Sequence, residues 1–410
     1  MENKLVIIQN LMNKYDGSFY LYDERVILRQ IKTLYENFRK FEFLYTIKTN
    51  PFVPIVNFTA AQGFGADAAS AEEVMIAHRA GVSCEKILYS TPGKTRKDIE
   101  KTIGKGIIVA DSYNELILIN EISKQQDIHL KVGLRININY SMEGGPGSSS
   151  KFGVDEDTLI HNKAFINTLS NVEIVGIHVH LTVQILDYKK LYHYYEKIFE
   201  LALFCKETIG LDLEFINFGG GLGLVYSLEN DQPLDVAKLG QECEQLFNRY
   251  NDRLNVRLYI ETGRFVICEA GWYVTRIADI KESRGIKYLI VEKGLNGFMR
   301  PSIAELIAGY TGASTALKQA EPLYTVRDAF EFMIPGGDPS SLEQVRIVGS
   351  LCTATDIMAK DVFLPKAQLG DLVIVSKAGS YSYSLSPLLF TSQPLPMQFY
   401  LKSNGELFIE

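Results

Sequence analysis

Cysteine is scarce in this chain: five in 410 residues, Cys84, Cys205, Cys243, Cys268 and Cys352, scattered and without a C-x-x-C pair. An odd, dispersed set excludes a disulfide framework and a thiolate zinc site, and points to the reduced thiols of a cytoplasmic protein. The six histidines show no H-E-x-x-H spacing, so no metal site is predicted. No apolar run approaches the roughly 18 residues of a membrane span. The first residues, MENKLVIIQNLMNKYDG, lack the charged-then-apolar build of a secretory signal. Long basic runs are missing too, and the net charge is −7; this argues against nucleic acid or an anionic membrane surface as the main partner. Internal repeats and low-complexity tracts are also absent.

What is present is the composition of an ordinary globular protein, 46% hydrophobic and 22% charged, long enough for two or three domains. Apolar spacing predicts a helix over 4–14, a strand over 18–22 and a helix over 24–39. A rhythm then begins. Short apolar strands are predicted at 43–48, 65–69, 87–90, 107–111, 132–137, 176–180, 215–218 and 258–261. Helical stretches follow most of them, at 71–80, 96–103, 113–125, 188–210 and 236–250. Eight such units match a (β/α)8 TIM-like barrel; a doubly wound sheet is the competing reading of the same alternation. After Arg264 the texture becomes strands at 271–280, 287–292, 345–349, 371–376 and 397–401, with no alternating helices. The expected organisation is an N-terminal segment, 1–23, packing with a β domain; a barrel, 24–270; and a mostly β domain, 271–410.

Chemistry-bearing residues gather at the ends of these strands. Lys48 closes an apolar strand just before the turn signal Thr-Asn-Pro. Burying an ammonium is costly unless it is paired or neutralised. The alternatives are a lysine that snorkels to solvent and one that does covalent chemistry as a Schiff base. Asp67, Arg135, His180, Gly219-Gly220-Gly221 and Glu261-Thr-Gly-Arg264 lie at other strand ends, the active face of a barrel. The glycine loops and Arg264 suit a phosphate. Glu261 either pairs with Arg264 or faces a protonated ring nitrogen, and His180 is either a satisfied core histidine or a catalytic one. The glycine-rich loop 141–150 lies beside this face.

Taken in order, the motifs YTIKTNP, GADAASAEE, YSTPGK, LRIN, SKFG, GIHVHLTVQ, INFGGG, ETGRF, GLNGFMRP, GSLCTATD and GDLVIVSKAGSY resemble the alanine-racemase-like, fold-type III decarboxylases that use pyridoxal phosphate. These are the diaminopimelate, ornithine and arginine decarboxylase group, and the resemblance covers nearly the whole chain. It implies that Lys48 forms the covalent link to the cofactor and that His180 stacks on its ring. Glu261 would keep the ring nitrogen protonated, with Asp67 and Arg135 among the cofactor's neighbours. Gly220, Gly221, Gly263, Arg264 and Tyr381 would bind the phosphate end. Cys352, supplied by the partner subunit of a homodimer, would protonate Cα once CO2 has left. The substrate would be a small-molecule amino acid met by Arg264, Arg300, Thr353 and Tyr381.

The chain also departs from that pattern. The family's H-x-G-S-Q stands here as His180-Leu-Thr-Val-Gln184, with Val183 in place of a serine and Thr182 as a substitute hydroxyl. Diaminopimelate enzymes place a tyrosine and a glutamate where this chain has Ala304 and Thr353, and ornithine enzymes place an aspartate at the latter position. A free distal ammonium thereby loses its charge partner. The C-terminal half looks closest to decarboxylases acting on masked amino acids, either citryl-diamino acids in carboxylate siderophore pathways or a glutamyl unit on an acyl-carrier protein. The leading expectation is a citryl-diamino acid. An ordinary diaminopimelate or ornithine-type enzyme is the alternative, and a catalytically silent antizyme-inhibitor-like regulator is the reading from another class.

Overall fold

The computed structural model describes residues 2–226, 231–311, 322–326 and 328–409. Phe19–Asp23 forms β1. The barrel strands and one short addition follow: β2 Glu42–Thr46, β3 Gly65–Ala68, β4 Ile87–Tyr89, β5 Ile107–Ala110, β6 Leu130–Asn137, β7 Val154–Asp155, β8 Val172–His178, β9 Phe215–Asn217 and β10 Arg257–Thr262. Beyond them lie β11 Gly271–Ser283, β12 Ile286–Val291, β13 Phe332–Met333, β14 Leu342–Gly349, β15 Ile357–Pro365, β16 Leu372–Val375, β17 Met397–Leu401 and β18 Leu407–Ile409. Two compact units emerge, one of Ile31–Leu224 and Pro233–Gly263, the other of Met1–Gln30, Val225–Gln232 and Arg264–Glu410.

In the first unit the parallel strands run β5-β4-β3-β2-β10-β9-β8-β6, and pairing of β5 with β6 closes the ring. The (β/α)8 barrel is therefore the fold, and the doubly wound sheet, which would have left two edges, is excluded. Its interior is filled by Leu44, Leu88, Val109, Val175, Phe215 and Tyr259. Gly133 and Gly176 face one another in the β6–β8 register, and a Cβ on Gly176 would run into the Phe215 ring. Here small residues make room for one large one, whose burial contributes about 1.5–3 kcal/mol. Side-chain caps start the outer helices. Ser70 accepts from Glu73 N, Ser112 from Glu115 N, and Thr95 forms a reciprocal capping box with Asp98.

In the second unit β1 lies between β11 (antiparallel) and β17 (parallel), within the order β15-β14-β12-β11-β1-β17-β18, while β16 joins β11 to β13. Ile8, Leu11, Phe19, Leu21, Val274 and Phe399 share one core there. The unit is mostly sheet, but it is not free of helix as the texture after Arg264 suggested. Met299–Thr311 is an α-helix. Pro301 masks it in the sequence, yet falls in the first turn, where its missing N–H costs nothing.

Candidate active site

The strand bearing Lys48 stops two residues early. β2 ends at Thr46, and Ile47–Thr49 is a single 3-10 turn closed by Asn50 N donating to Ile47 O. That turn lifts Lys48 out of the barrel interior, so its side chain is exposed while Ile47 and Thr49 are buried. Gly263, at the end of β10, lies against the same turn, and any Cβ there would collide with the Thr49 side chain. A β-carbon at that position would displace the lysine turn.

Around the turn stand the acids. Asp67, on β3, is buried and accepts from Ser90 Oγ at 2.8 Å. Burial, and then the neighbouring charge of Glu261, push its carboxyl up, against the opposing pull of Lys48. Glu261, on β10, goes the other way. Burial alone would raise it, but His178, followed by His180 and Lys48, holds it well below the usual carboxylate range. Two carboxyls in one site are thus driven apart, one toward the acid and one firmly anionic. Glu261 Oε1 accepts from Asn217 Nδ2 at 2.8 Å and lies 3.1 Å from His178 Nε2. Oε2 lies 3.7 Å from His180 Nδ1.

His180 sits two residues beyond the end of β8, not at its last position, because Val179 N already bonds across to Asn217 O at 2.9 Å. Its Nδ1 accepts the Gly220 N–H at 3.0 Å. That bond places the ring proton on Nε2, and burial first of all depresses its pKa to about 3, so the ring is neutral. Gly219, at φ +66°, turns the chain so that its N–H reaches Asn217 Oδ1 at 3.0 Å. Ile185 N and Gly221 O bond at 2.8 Å, zipping the segment after His180 to the glycine loop, and the Gln184 amide clamps the Leu224 backbone. Gln184 takes φ +60° to do so, a conformation costing on the order of 1–3 kcal/mol.

Arg135 lies nearby, its Nη1 3.3 Å from Ser90 O and 3.6 Å from Asp111 Oδ1. Its guanidinium lies over the Phe152 ring at 4.3 Å, and Asp111 Oδ2 accepts from Gly153 N at 3.1 Å. The SKFG segment is thereby anchored to the rim of the barrel. Lys48, Asp67, Arg135, His180, Gly220, Gly221, Glu261 and Gly263 all belong to the barrel unit.

The remaining predicted residues belong to the other unit. Arg264 Nη1 donates to Tyr226 Oη at 2.7 Å, and its guanidinium lies 4.9 Å from the Tyr381 ring. Tyr381 is held at φ +49°. Arg300 is 0% exposed; Nη1 donates to Ser380 O at 3.1 Å and Nη2 to Tyr324 O at 2.6 Å. Among the described residues its Nε is without a partner, so a carboxylate would meet Arg300 at that nitrogen or displace a carbonyl. Ala304 is buried one turn further along the helix. Cys352 is exposed on the turn between β14 and β15, and Thr353 Oγ1 lies 3.0 Å from Thr355 Oγ1.

Sequence reasoning passed over three residues: His178, Asn217 and Asp356. The first two stand two positions before His180 and Gly219, and strand alternation puts them on the same face. Asp356 closes the Cys352 turn, accepting from Leu295 N at 2.6 Å and Leu351 N at 2.9 Å; the sequence marks it only as the acid that ends the GSLCTATD segment.

Comparison with known proteins agrees with this geometry. Residues 24–268 match the family model described as "Pyridoxal-dependent decarboxylase, pyridoxal binding domain". The chain is similar to the L-glutamyl-[BtrI acyl-carrier protein] decarboxylase of Niallia circulans, at 30% identity covering 97% of this chain and 91% of that one. It is also similar to the diaminopimelate decarboxylase of Helicobacter pylori J99, at 28% identity over 97% and 93% of the two chains. Among solved structures, diaminopimelate decarboxylase from M. jannaschii in complex with L-lysine superposes with a TM-score of 0.84 at 26% identity, covering 98% of this chain and 90% of that one.

Proposed function

Because the chain belongs to the family of pyridoxal-dependent decarboxylases, we propose that its barrel-top cluster carries pyridoxal 5'-phosphate on Lys48 and that its substrate is an L-amino acid with a masked side chain. The protein is a PLP-dependent amino-acid carboxy-lyase. One observation carries the placement of the cofactor: a solvent-reaching lysine on a tight turn beside a firmly anionic carboxylate, Glu261, whose Oε2 has no donor among the described residues. That open acceptor fits a protonated ring nitrogen. Within the barrel unit, Gly221 and Gly263 would admit the phosphate to the backbone.

When bound, the cofactor ring supplies the electron sink for loss of CO2. The chain's own residues do the rest. Glu261 would hold the ring proton, and neutral His180 would lie against the ring without adding charge. Asp67, raised toward its acid form, would face the lysine end. Cys352 would hold the proton destined for Cα, delivered across a homodimer boundary into the partner's site.

Thr353 supports the masked-substrate reading. It stands where relatives that bind a distal ammonium carry an acid, and a neutral hydroxyl forfeits that charge-assisted contact. The Niallia circulans relative acts on a carrier-bound glutamyl group, which is masked in the same sense. A citryl-conjugated diamino acid is the leading candidate, with a role in carboxylate siderophore assembly. The second reading is diaminopimelate decarboxylation, favoured by the similarity to such enzymes over nearly the whole chain. Comparison of kcat/KM on citryl-ornithine, citryl-diaminopropionate, free ornithine and meso-diaminopimelate separates them. Preference for the conjugates is expected; equal or better turnover of a free amino acid overturns the masked-substrate reading.

A further inference from the structure

Three groups hold Glu261 anionic: His178, His180 and Lys48. They are not equivalent once the cofactor is in place, an argument that rests on the assignment of Lys48 and Glu261 proposed above. Lys48 would be committed to the cofactor. His180 is neutral, and the nitrogen it turns toward Glu261, Nδ1, is an acceptor already filled by the Gly220 N–H. Neither supplies a proton or a positive charge to the carboxylate. Asp67 faces Glu261 too, and opposes it. The remaining group is His178, on the last residue of β8, 1% exposed, with Nε2 3.1 Å from Oε1. Neither ring nitrogen has an aligned hydrogen-bond partner among the described residues, so Nε2 meets Oε1 by proximity alone.

We infer that His178 is a positioning residue for decarboxylation: with Asn217 it occupies the Oε1 side of Glu261, so that Oε2 is left anionic to face the cofactor's ring nitrogen. The division of labour follows from the contacts at Oε1. Asn217 cannot rotate its amide, because Oδ1 is committed to Gly219 N while Nδ2 donates to Oε1. It fixes the carboxylate's plane but brings no charge. His178 brings a polar ring nitrogen within 3.1 Å of Oε1, which favours the ionised carboxylate in a dry site.

The test uses the holoenzyme loaded with ring-15N-labelled pyridoxal phosphate. In the parent protein the ring nitrogen should give a pyridinium signal at neutral pH. His178→Ala should move that signal toward unprotonated pyridine and lower kcat about tenfold or more, one pKa unit being tenfold in protonated fraction. His178→Gln, which can still present an N–H near the Nε2 position, should recover part of both. A pyridinium signal and kcat unchanged in His178→Ala overturn the inference. Glu261→Gln is run alongside: if it too leaves the ring signal unchanged, the assignment of Glu261 itself has failed, whereas a shift in Glu261→Gln with none in His178→Ala sinks only the role of His178. Should His178→Ala not retain cofactor, 15N-histidine spectra of the parent holoenzyme decide, since a His178 ring found bare at Nε2 overturns the proposal and one protonated there supports it.

Discussion

The barrel unit and the sheet unit carry their functional residues in opposite ways. In the barrel, eight predicted residues lie at one rim, where Gly220 N bonds to His180 Nδ1 and Ser90 links Asp67 to Arg135. In the sheet unit, Cys352 stands exposed on a turn, and Arg300 is buried with two of its nitrogens committed to carbonyls. A site that must bind one fixed cofactor gains from pre-organisation within a single rigid element. The proposed proton donor, Cys352, stands on a turn, whereas Arg300 is fixed on a helix. The difference predicts that damage to the barrel rim abolishes chemistry outright, whereas damage to the sheet unit alters the proton delivery or the choice of substrate.

The largest effect should come from Lys48→Ala. Covalent cofactor, detected by its visible absorption and by borohydride labelling with peptide mapping, should disappear, and turnover should fall by at least about 10³-fold, the scale seen when a covalent nucleophile is removed. A label found on another lysine would break the comparison at its base. Cys352→Ala comes next. It should keep cofactor and fold yet lose about 10²-fold or more in correctly protonated amine, the scale of general acid catalysis. Mixing it with Lys48→Ala should restore part of the activity if the two residues meet across a subunit boundary. Normal product from Cys352→Ala would leave the turn without a chemical role.

The same contrast governs what the sequence disclosed. The barrel was legible because eight apolar strands recur with helices between them, and Lys48, His180 and Glu261 sit next to the turn signals that end those strands. The boundaries were less so. Lys48 and His180 lie beyond their strands, which end at Thr46 and His178. His178 and Asn217 were missed because a polar residue inside an apolar strand has no local mark to separate structure from function; only the fold brings both onto Glu261. The helix Met299–Thr311 was hidden by Pro301 and by its place among strands. The burial of Arg300 depends on Ser380 and Tyr324, distant in sequence, and no local pattern records it.

Thr353→Asp sharpens the comparison from the substrate side. An anion on the exposed turn would restore a partner for a distal ammonium, worth about 1.5–3 kcal/mol for a charged hydrogen bond. The ratio of kcat/KM for free diamino acids over conjugates should rise about tenfold or more; an unchanged ratio would mean that this turn does not meet the substrate's far end. Asp356→Asn should have a smaller, structural effect. Replacing one carboxylate oxygen by an amide NH2 leaves either Leu295 N or Leu351 N facing a donor, at about 1–3 kcal/mol. Denaturant unfolding should show that loss, and Cys352 should alkylate faster as its turn loosens; parent-like values in both would deny that Asp356 organises the turn.

The smallest predicted effect concerns pH and two barrel-rim groups of opposite sign. His180 has its pKa depressed from 6.5 to about 3, chiefly by burial, and its side chain is 23% exposed. Between those limits the unfolded chain binds a proton that the folded chain refuses. Its stability contribution is therefore full above 6.5 and is lost as pH falls, at up to about 1.4 kcal/mol per pH unit. Glu73 is raised from 4.5 to about 7, again chiefly by burial, so the folded chain takes up a proton before the unfolded one does. Its contribution is full below 4.5 and is lost as pH rises toward 7. Across pH 4.5 to 6.5 the two slopes oppose one another. Glu261, depressed from 4.5, adds its own loss only below this window. Equilibrium unfolding of the cofactor-free protein should then show that His180→Gln, relative to the parent, gains stability as pH falls from 6.5 to 4.5. Glu73→Gln, relative to the parent, should lose it over the same range. Parallel pH curves for the parent and both variants would show that neither group is shifted on folding, and that the rim is wetter than its packing indicates.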